Sequence, residues 1–154
     1  MTKIKLAWHV CIMLLFLYPA YSQDQQKSND KAITCSAQSK ARYKIIAYYF
    51  HGTHRCSTCL ALEKSSREAI EKYFQKELKS NLLEFKPINT DLKENEHYLQ
   101  DYQLYTRSLV LVLYKDNKQE KWKNLPDIWT YVGDQKKIDE YVKEEVEKYL
   151  KEVC

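Results

Sequence analysis

The sequence predicts a single α/β domain in which one central mixed sheet is flanked by helices. The chain has 154 residues, which suits one domain of ordinary size. It contains only two glycines and three prolines, and this scarcity argues against a turn-rich barrel or sandwich built from strands alone. Apolar runs typical of buried strands alternate with segments whose apolar residues recur at helical spacing. These observations together favour a few well-formed helices and strands.

Composition and charge exclude several classes of protein. With 44% hydrophobic and 30% charged residues, the chain is neither a disordered tail nor a fibre. The net charge of +4 includes Lys3 and Lys5, and without them 23 basic residues face 21 acidic ones, which leaves +2. Such a small excess gives no reason to expect nucleic acid as a partner.

The first 22 residues have the pattern of a secretory signal peptide. A short basic start precedes an apolar run from about Leu6 to Leu17, and Ala20 and Ser22 are small residues where signal peptidase requires them. The run is shorter than the ~20 apolar residues of a membrane-spanning helix. We predict that residues 1–22 are cleaved, that the mature protein is periplasmic or secreted, and that no membrane span remains. An uncleaved anchor is the alternative.

The next segments divide a leader from the folded domain. Residues 23–42 are polar, show no apolar period and are predicted to form a flexible leader, whereas the domain is predicted over residues 43–152. Its first strand covers 44–50, a continuous β-branched and aromatic run of the kind buried on both faces of a sheet. A loop follows at 51–59, and apolar residues at steps of three and four then predict a helix over 59–78.

The second half of the domain shows the same kinds of apolar pattern. Alternating apolar residues predict a strand over 82–89, and an aromatic stripe predicts a helix over 94–105. The run LVLVLYK predicts a buried strand over 109–115, which a tight turn joins to an antiparallel strand over 118–125. The apolar stripe of the last segment predicts a helix over 135–152.

The predicted order of elements is β-α-β-α-β-β-α, which is that of the thioredoxin fold. Its two βα units predict parallel strands joined by right-handed crossovers, and its hairpin adds an antiparallel edge. The turn between the first strand and the first helix then lies at the carboxyl end of the sheet, where α/β proteins keep their sites.

This turn carries a CxxC motif, Cys56-Ser57-Thr58-Cys59. A CxxC that follows a buried strand and opens a helix is typical of thiol–disulfide exchange. The helix amino end favours thiolate over thiol at Cys56, and Arg55 and a protonated His54 would act in the same direction. Cys56 is therefore the predicted attacking thiol and Cys59 the resolving one. An inert disulfide that joins strand to helix is the alternative.

Export also bears on the remaining cysteines. Four stay after cleavage, namely Cys35, Cys56, Cys59 and Cys154, and an even count in an exported chain makes one or two disulfides the default. For Cys35 and Cys154, a bond to each other, free thiols and links to partner chains all fit the sequence.

Residues 43–152 resemble the thioredoxin-like superfamily. Within it, residues 48–59 (YYFHGTHRCSTC) and 105–133 (with SLVLVLYKDNKQEKWKNLPDIW) are similar to the nitrophenyl compound nitroreductase subunit family. The resemblance implies a redox-active cysteine pair, a protein or small-molecule disulfide as substrate, and a redox partner. No cofactor is expected, because a G-x-G-x-x-G dinucleotide fingerprint cannot occur with only Gly52 and Gly133.

The chain also departs from the thioredoxin pattern. Typical thioredoxins have a cis-proline just before the third strand, where this chain has Ser108 or Leu109. They also have a buried carboxylate beneath the cysteines, where this chain has Phe50 or Tyr49. These departures allow a further alternative, a redox-silent adaptor subunit on a thioredoxin scaffold.

The cysteines belong to a larger group of metal-binding residue types. His51, His54, Cys56 and Cys59 form an H-x2-H-x-C-x2-C cluster. Zinc accepts two cysteines and two histidines in tetrahedral sites, and Cu(I) or a trivalent arsenical favours thiolates. A carrier or sensor of a soft metal or metalloid is therefore the main alternative. Redox exchange is preferred, since Cys59 is expected to point into the fold.

Overall fold

The computed structural model describes residues 42–153. Its helices and strands follow in the order β1 Tyr43–His51, α1 Ser57–Tyr73, α2 Gln75–Lys79, β2 Leu83–Asn89, α3 His97–Asp101, β3 Ser108–Lys115, β4 Lys118–Asn124 and α4 Gln135–Val153. The predicted signal peptide, the predicted leader up to residue 41, Cys35 and Cys154 lie outside the described residues. Within residues 42–153, no helix combines the length and apolar character needed to cross a membrane.

The four strands form one mixed sheet in the order β2-β1-β3-β4. β1 and β2 are parallel, whereas β3 is antiparallel to β1 and β4 is antiparallel to β3. The predicted α/β class, with a mixed sheet flanked by helices, is confirmed, and this arrangement is compatible with the predicted thioredoxin fold.

The direction of β3 corrects one part of the prediction. The antiparallel half of the sheet was expected to begin at the hairpin, but it begins at β3. In the registers of the sheet, Asn89 at the end of β2 pairs with His51, and Ser108 at the start of β3 pairs with Phe50. The connection therefore leaves and re-enters the sheet at the same end, so β3 has to run back.

Two predicted helices are shorter than expected. The helix predicted over 59–78 is interrupted at Phe74, a buried residue with φ −123° and ψ 35° between α1 and α2. The helix predicted over 94–105 contains only the five residues of α3, preceded by a short 3₁₀ turn. Gln103 has φ 50°, a left-handed conformation that cannot continue a right-handed helix.

The core has two parts because side chains alternate between the faces of the sheet. On the helical face, the β1 residues Ile45, Ala47 and Tyr49 pack beneath α1 and α4. On the aromatic face, the next residues along β1 pack against the segment that leads into β3. The main members of the aromatic face are Ile46, Tyr48, Phe50, Tyr98, Tyr102, Leu104, Val110, Val112 and Trp122. The amino end of α1 stands at the carboxyl end of β1, and this junction holds the CxxC motif.

Candidate functional site

Cys56 is the residue at which α1 begins. It occupies the N-cap position with extended backbone angles, φ −75° and ψ 164°. Its Sγ accepts a hydrogen bond from the backbone N–H of Cys59 at 3.2 Å, and its carbonyl accepts from the N–H of Leu60 at 3.1 Å. The sulfur thus satisfies one of the N–H groups that a helix start leaves without partners.

Cys56 and Cys59 form a disulfide, with Cα atoms 5.2 Å apart. This distance confirms the prediction that they lie within the range of ~4.4–6.8 Å that a disulfide requires. The two residues differ in access to solvent, since Cys56 is exposed and Cys59 is only 5% exposed. Cys56 is therefore the member of the pair that faces solvent, whereas Cys59 is covered by the fold.

Tyr49 lies beneath the pair. It is fully buried, and its hydroxyl donates to the carbonyl oxygen of Cys59 at 2.9 Å. Burial raises the pKa of Tyr49 to about 12, although Arg55 and Arg107 act to lower it. The hydroxyl therefore stays protonated near neutral pH. It is one of the two residues that the sequence had offered in place of a carboxylate.

Arg55 has an acidic partner that the sequence did not predict. Its guanidinium forms an ion pair with Glu63, one turn and a half along α1 from the cysteines, and Arg67 binds the same carboxylate at 3.2 Å. The charge of Arg55 is thus partly balanced within the site. The spacing of these residues on the helix could have suggested the Arg67 contact, which is a pair four residues apart.

A second arginine, Arg107, reaches the site from the other side. Its Nη2 donates to the carbonyl oxygen of His54 at 3.2 Å, and its own carbonyl accepts from the indole N–H of Trp129 at 2.8 Å. Arg107 directly precedes β3, which begins at Ser108. Sequence reasoning missed it because it lies far from the motif along the chain.

Gly52 allows charged side chains to approach the loop closely. A Cβ added at Gly52 would lie 3.0 Å from Asp91 Oδ2 and 3.1 Å from Arg107 Nη2. Asp91 Oδ2 also accepts from the backbone N–H of Thr53 at 2.7 Å. This hydrogen bond holds the pKa of Asp91 below its usual value, and Arg107 contributes in the same direction. The loop before the cysteines is therefore held by Asp91, which follows β2, and by Arg107, which precedes β3.

The two histidines have separate surroundings. The Nδ1 atom of His51, which is partly buried, lies 3.0 Å from the carbonyl oxygen of Gly52, whereas His54 is exposed. Across residues 42–153, no three His, Cys, Asp or Glu side chains are gathered as a metal ion would need. The structure thus brings Cys56 and Cys59 together but does not assemble the four-residue set that includes the histidines.

Comparison with known proteins adds no relative. The sequence matches no protein-family model, and no curated protein is significantly similar to it. Function is therefore inferred from the cysteine pair itself. An exposed sulfur at a helix start, bonded to a buried sulfur one turn later, is an arrangement that can exchange disulfides.

Proposed function

We propose that this chain is an exported thiol–disulfide exchange protein that acts through Cys56 and Cys59. The observation that supports it is the asymmetry of the pair: Cys56 is exposed at the helix cap, and Cys59 is buried beside it with a Cα separation of 5.2 Å. Only the outer sulfur can meet a substrate, and only the inner one is always within reach of the adduct.

The exchange proceeds in two balanced steps. The Cys56 thiolate attacks one sulfur of a substrate disulfide, which forms a mixed disulfide and releases the other substrate sulfur as a thiolate that takes up a proton. Cys59, deprotonated, then attacks Cys56 Sγ, which closes the protein disulfide and releases the second substrate thiolate. Two electrons pass from protein to substrate, and the reverse sequence oxidises a dithiol.

The helix favours the thiolate that this chemistry needs. The positive end of the dipole of α1, a helix of 17 residues, lies at Cys56, and the first turn contains no acidic residue to offset it. The N–H of Cys59 already points at Cys56 Sγ, at 3.2 Å, and a hydrogen bond to a thiolate is stronger than one to a neutral sulfur. Both features lower the free energy of the charged form.

Three further parts of the proposal depend on the sequence. We propose membership of the thioredoxin-like superfamily, near the nitrophenyl compound nitroreductase subunit family, from residues 48–59 and 105–133. We propose export from the signal-peptide pattern of residues 1–22. The proposed substrate is a protein or small-molecule disulfide, with a separate redox partner that resets the pair.

Single-cysteine variants test the mechanism. In a mature chain that also carries Cys35→Ser and Cys154→Ser, Cys59→Ser should trap a mixed disulfide with a substrate disulfide, because no inner thiol resolves it. Cys56→Ser in the same background should form at least tenfold less adduct, because Cys59 is buried. Non-reducing electrophoresis and mass spectrometry measure the adduct, and the parent background with both cysteines is the control.

The alternatives give different results in this experiment. A metal carrier would form no adduct, would copurify with zinc or copper, and would lose the metal to a similar extent in both variants. A redox-silent adaptor would form no adduct and hold no metal. Either result would reject thiol–disulfide exchange.

A further inference from the structure

We infer that the Cys56–Cys59 disulfide works as an oxidant of dithiols, and that Arg107 biases the pair in this direction by stabilising its reduced form. This inference rests on the proposed exchange function and specifies its substrate class and direction. It follows from the charges and contacts that surround the two cysteines.

Positive charge exceeds negative charge around the pair. Arg55 and Arg67 share the single carboxylate of Glu63, so this group of three carries a net positive charge. On the other side, Arg107 and Asp91 both approach Gly52, so their charges oppose each other there, and the three arginines exceed the two carboxylates by one positive charge. The amino end of α1 adds to the positive side.

Arg107 is the arginine of this group that forms no ion pair within the described residues. Arg55 forms an ion pair with Glu63, whereas the Arg107 guanidinium donates a hydrogen bond to the carbonyl oxygen of His54, two residues before Cys56. Burial raises the pKa of the Tyr49 hydroxyl, which donates to the carbonyl oxygen of Cys59, and both Arg55 and Arg107 oppose that rise. The indole of Trp129 fixes the backbone of Arg107.

The redox consequence follows from charge alone. The disulfide is neutral, but the reduced pair carries a thiolate at Cys56 whenever the pH exceeds its pKa. A nearby cation therefore stabilises only the reduced form, and a pair whose reduced form is stabilised is the stronger oxidant. The residue beneath the pair, Tyr49, is a neutral hydroxyl and does not oppose this effect.

The oxidation step balances in atoms and electrons. A substrate thiolate attacks exposed Cys56 Sγ and breaks its bond to Cys59, which leaves as a thiolate and takes up a proton. A second substrate thiolate attacks the substrate sulfur of the mixed disulfide, forms the substrate disulfide and releases Cys56 as a thiolate. The substrate loses the two electrons that the protein gains, and a more oxidising disulfide restores the pair.

The equilibrium of the mature chain with defined thiols tests the inference. With an equimolar amount of reduced thioredoxin, at least about ten times as much of the wild-type pair should end reduced as oxidised. Against glutathione at pH 8, Arg107→Gln should shift the equilibrium constant about threefold to tenfold towards the protein disulfide, and Arg107→Lys should keep most of the wild-type value. Alkylation and mass spectrometry measure both.

A pH series separates charge from a general loss of structure. Below the thiol pKa of both proteins the reduced pair is uncharged, so the difference between wild type and Arg107→Gln should vanish there and grow as the pH rises through that pKa. Lys136→Gln removes an exposed cation on α4 and should change nothing.

Two results would reject the inference, and a third would reject the proposed exchange function as well. A wild-type pair that stays mostly oxidised with reduced thioredoxin rejects the oxidant role. A shift in Arg107→Gln that is absent, independent of pH, or equal in Arg107→Lys rejects the role of Arg107. In both cases Cys59→Ser still traps its adduct, so the exchange function stands. A wild-type pair that does not exchange with glutathione at all, together with no trapped adduct, rejects the exchange function as well.

Discussion

The two faces of the central sheet are packed by different kinds of side chain. The helical face is aliphatic, and Ile70, Leu111 and Val142 are fully buried there between the sheet and the long helices α1 and α4. The aromatic face is built from rings, with Phe50 lying 5.3 Å from Tyr98 and 5.5 Å from Tyr102 between ring centroids. One face is thus covered by regular helices, and the other by side chains from a segment with little regular structure.

This difference explains where the candidate site can form. A helix start that stabilises a thiolate needs a long, firmly anchored helix, and α1 is anchored by apolar contacts all along the helical face. On the aromatic face, the five-residue α3 has no buried residue and offers no such anchor. Tyr49, which supports Cys59, belongs to the helical face. The geometry of the cysteine pair therefore depends on the stability of that face.

The largest expected effect tests this dependence directly. Ile70→Ala removes a fully buried side chain of α1 and should lower the free energy of unfolding by about 3 kcal/mol, because the cavity it leaves cannot fully collapse. Leu99→Ala on α3 is the matched control, and it should cost below about 1 kcal/mol because that leucine is 38% exposed. Urea unfolding measures both. Equal losses would contradict the stronger anchoring of α1 through its buried apolar side chains.

A smaller effect concerns a charge at the edge of the helical face. Glu145 of α4 is buried, and its carboxylate accepts from Lys123 of β4 at 2.7 Å and from Lys148 at 2.9 Å. Burial alone would raise the pKa of Glu145, but the two lysines hold it below the usual value. Glu145→Gln should lower the free energy of unfolding by about 1 kcal/mol at pH 7.

The sign of the pH dependence follows from this lowered pKa. Because the pKa is lower in the folded state, the stabilisation is complete above the unfolded-state value of about 4.3 and is lost as the pH falls through the folded value. The gap between wild type and Glu145→Gln should therefore close as the pH falls below that unfolded-state value. Glu144→Gln, at an exposed neighbouring position, should show a much smaller gap. A gap that stays constant with pH would contradict the assignment.

The smallest effects should have opposite signs on the two faces. On the helical face, the hydroxyl of Ser66 is fully buried and, among the described residues, has no hydrogen-bond partner. Ser66→Ala should therefore raise the free energy of unfolding by about 0.5–1 kcal/mol. On the aromatic face, the Tyr102 hydroxyl donates to Gln119 at 2.8 Å. Tyr102→Phe should therefore lower the free energy of unfolding by about 1 kcal/mol. Changes of the same sign, measured by thermal and urea unfolding, would show that the hydroxyls are equivalent.

Sequence patterns predicted the helical face better than the aromatic one. Buried strands and the apolar stripe of α4 have clear periods, so their bounds agree with the structure to within one or two residues. The period of α1 continues past Phe74, which is why the break there was not foreseen. The stripe that predicted a helix over 94–105 includes Tyr105, which lies beyond the end of α3 and is 97% exposed.

The site was predictable only where its residues are close in sequence. The spacing of Cys56 and Cys59 and the start of a helix are local, and the predicted disulfide distance is confirmed. Arg107 and Asp91 reach the loop through the fold of the chain, and no periodicity connects residues so far apart. The orientation of β3, which brings Arg107 to this end of the sheet, was itself the misread part of the topology.

The capping role of Cys56 has a consequence for how chemistry and architecture are coupled. The atom that would exchange electrons, Cys56 Sγ, is also the atom that closes the first turn of α1 through the N–H of Cys59. A change in the charge of this sulfur therefore changes the strength of the hydrogen bond that caps α1, so the oxidation state of the pair is coupled to the stability of the first helical turn. Serine is also a good N-cap, so Cys56→Ser keeps the cap of α1 while it removes the sulfur that would exchange electrons.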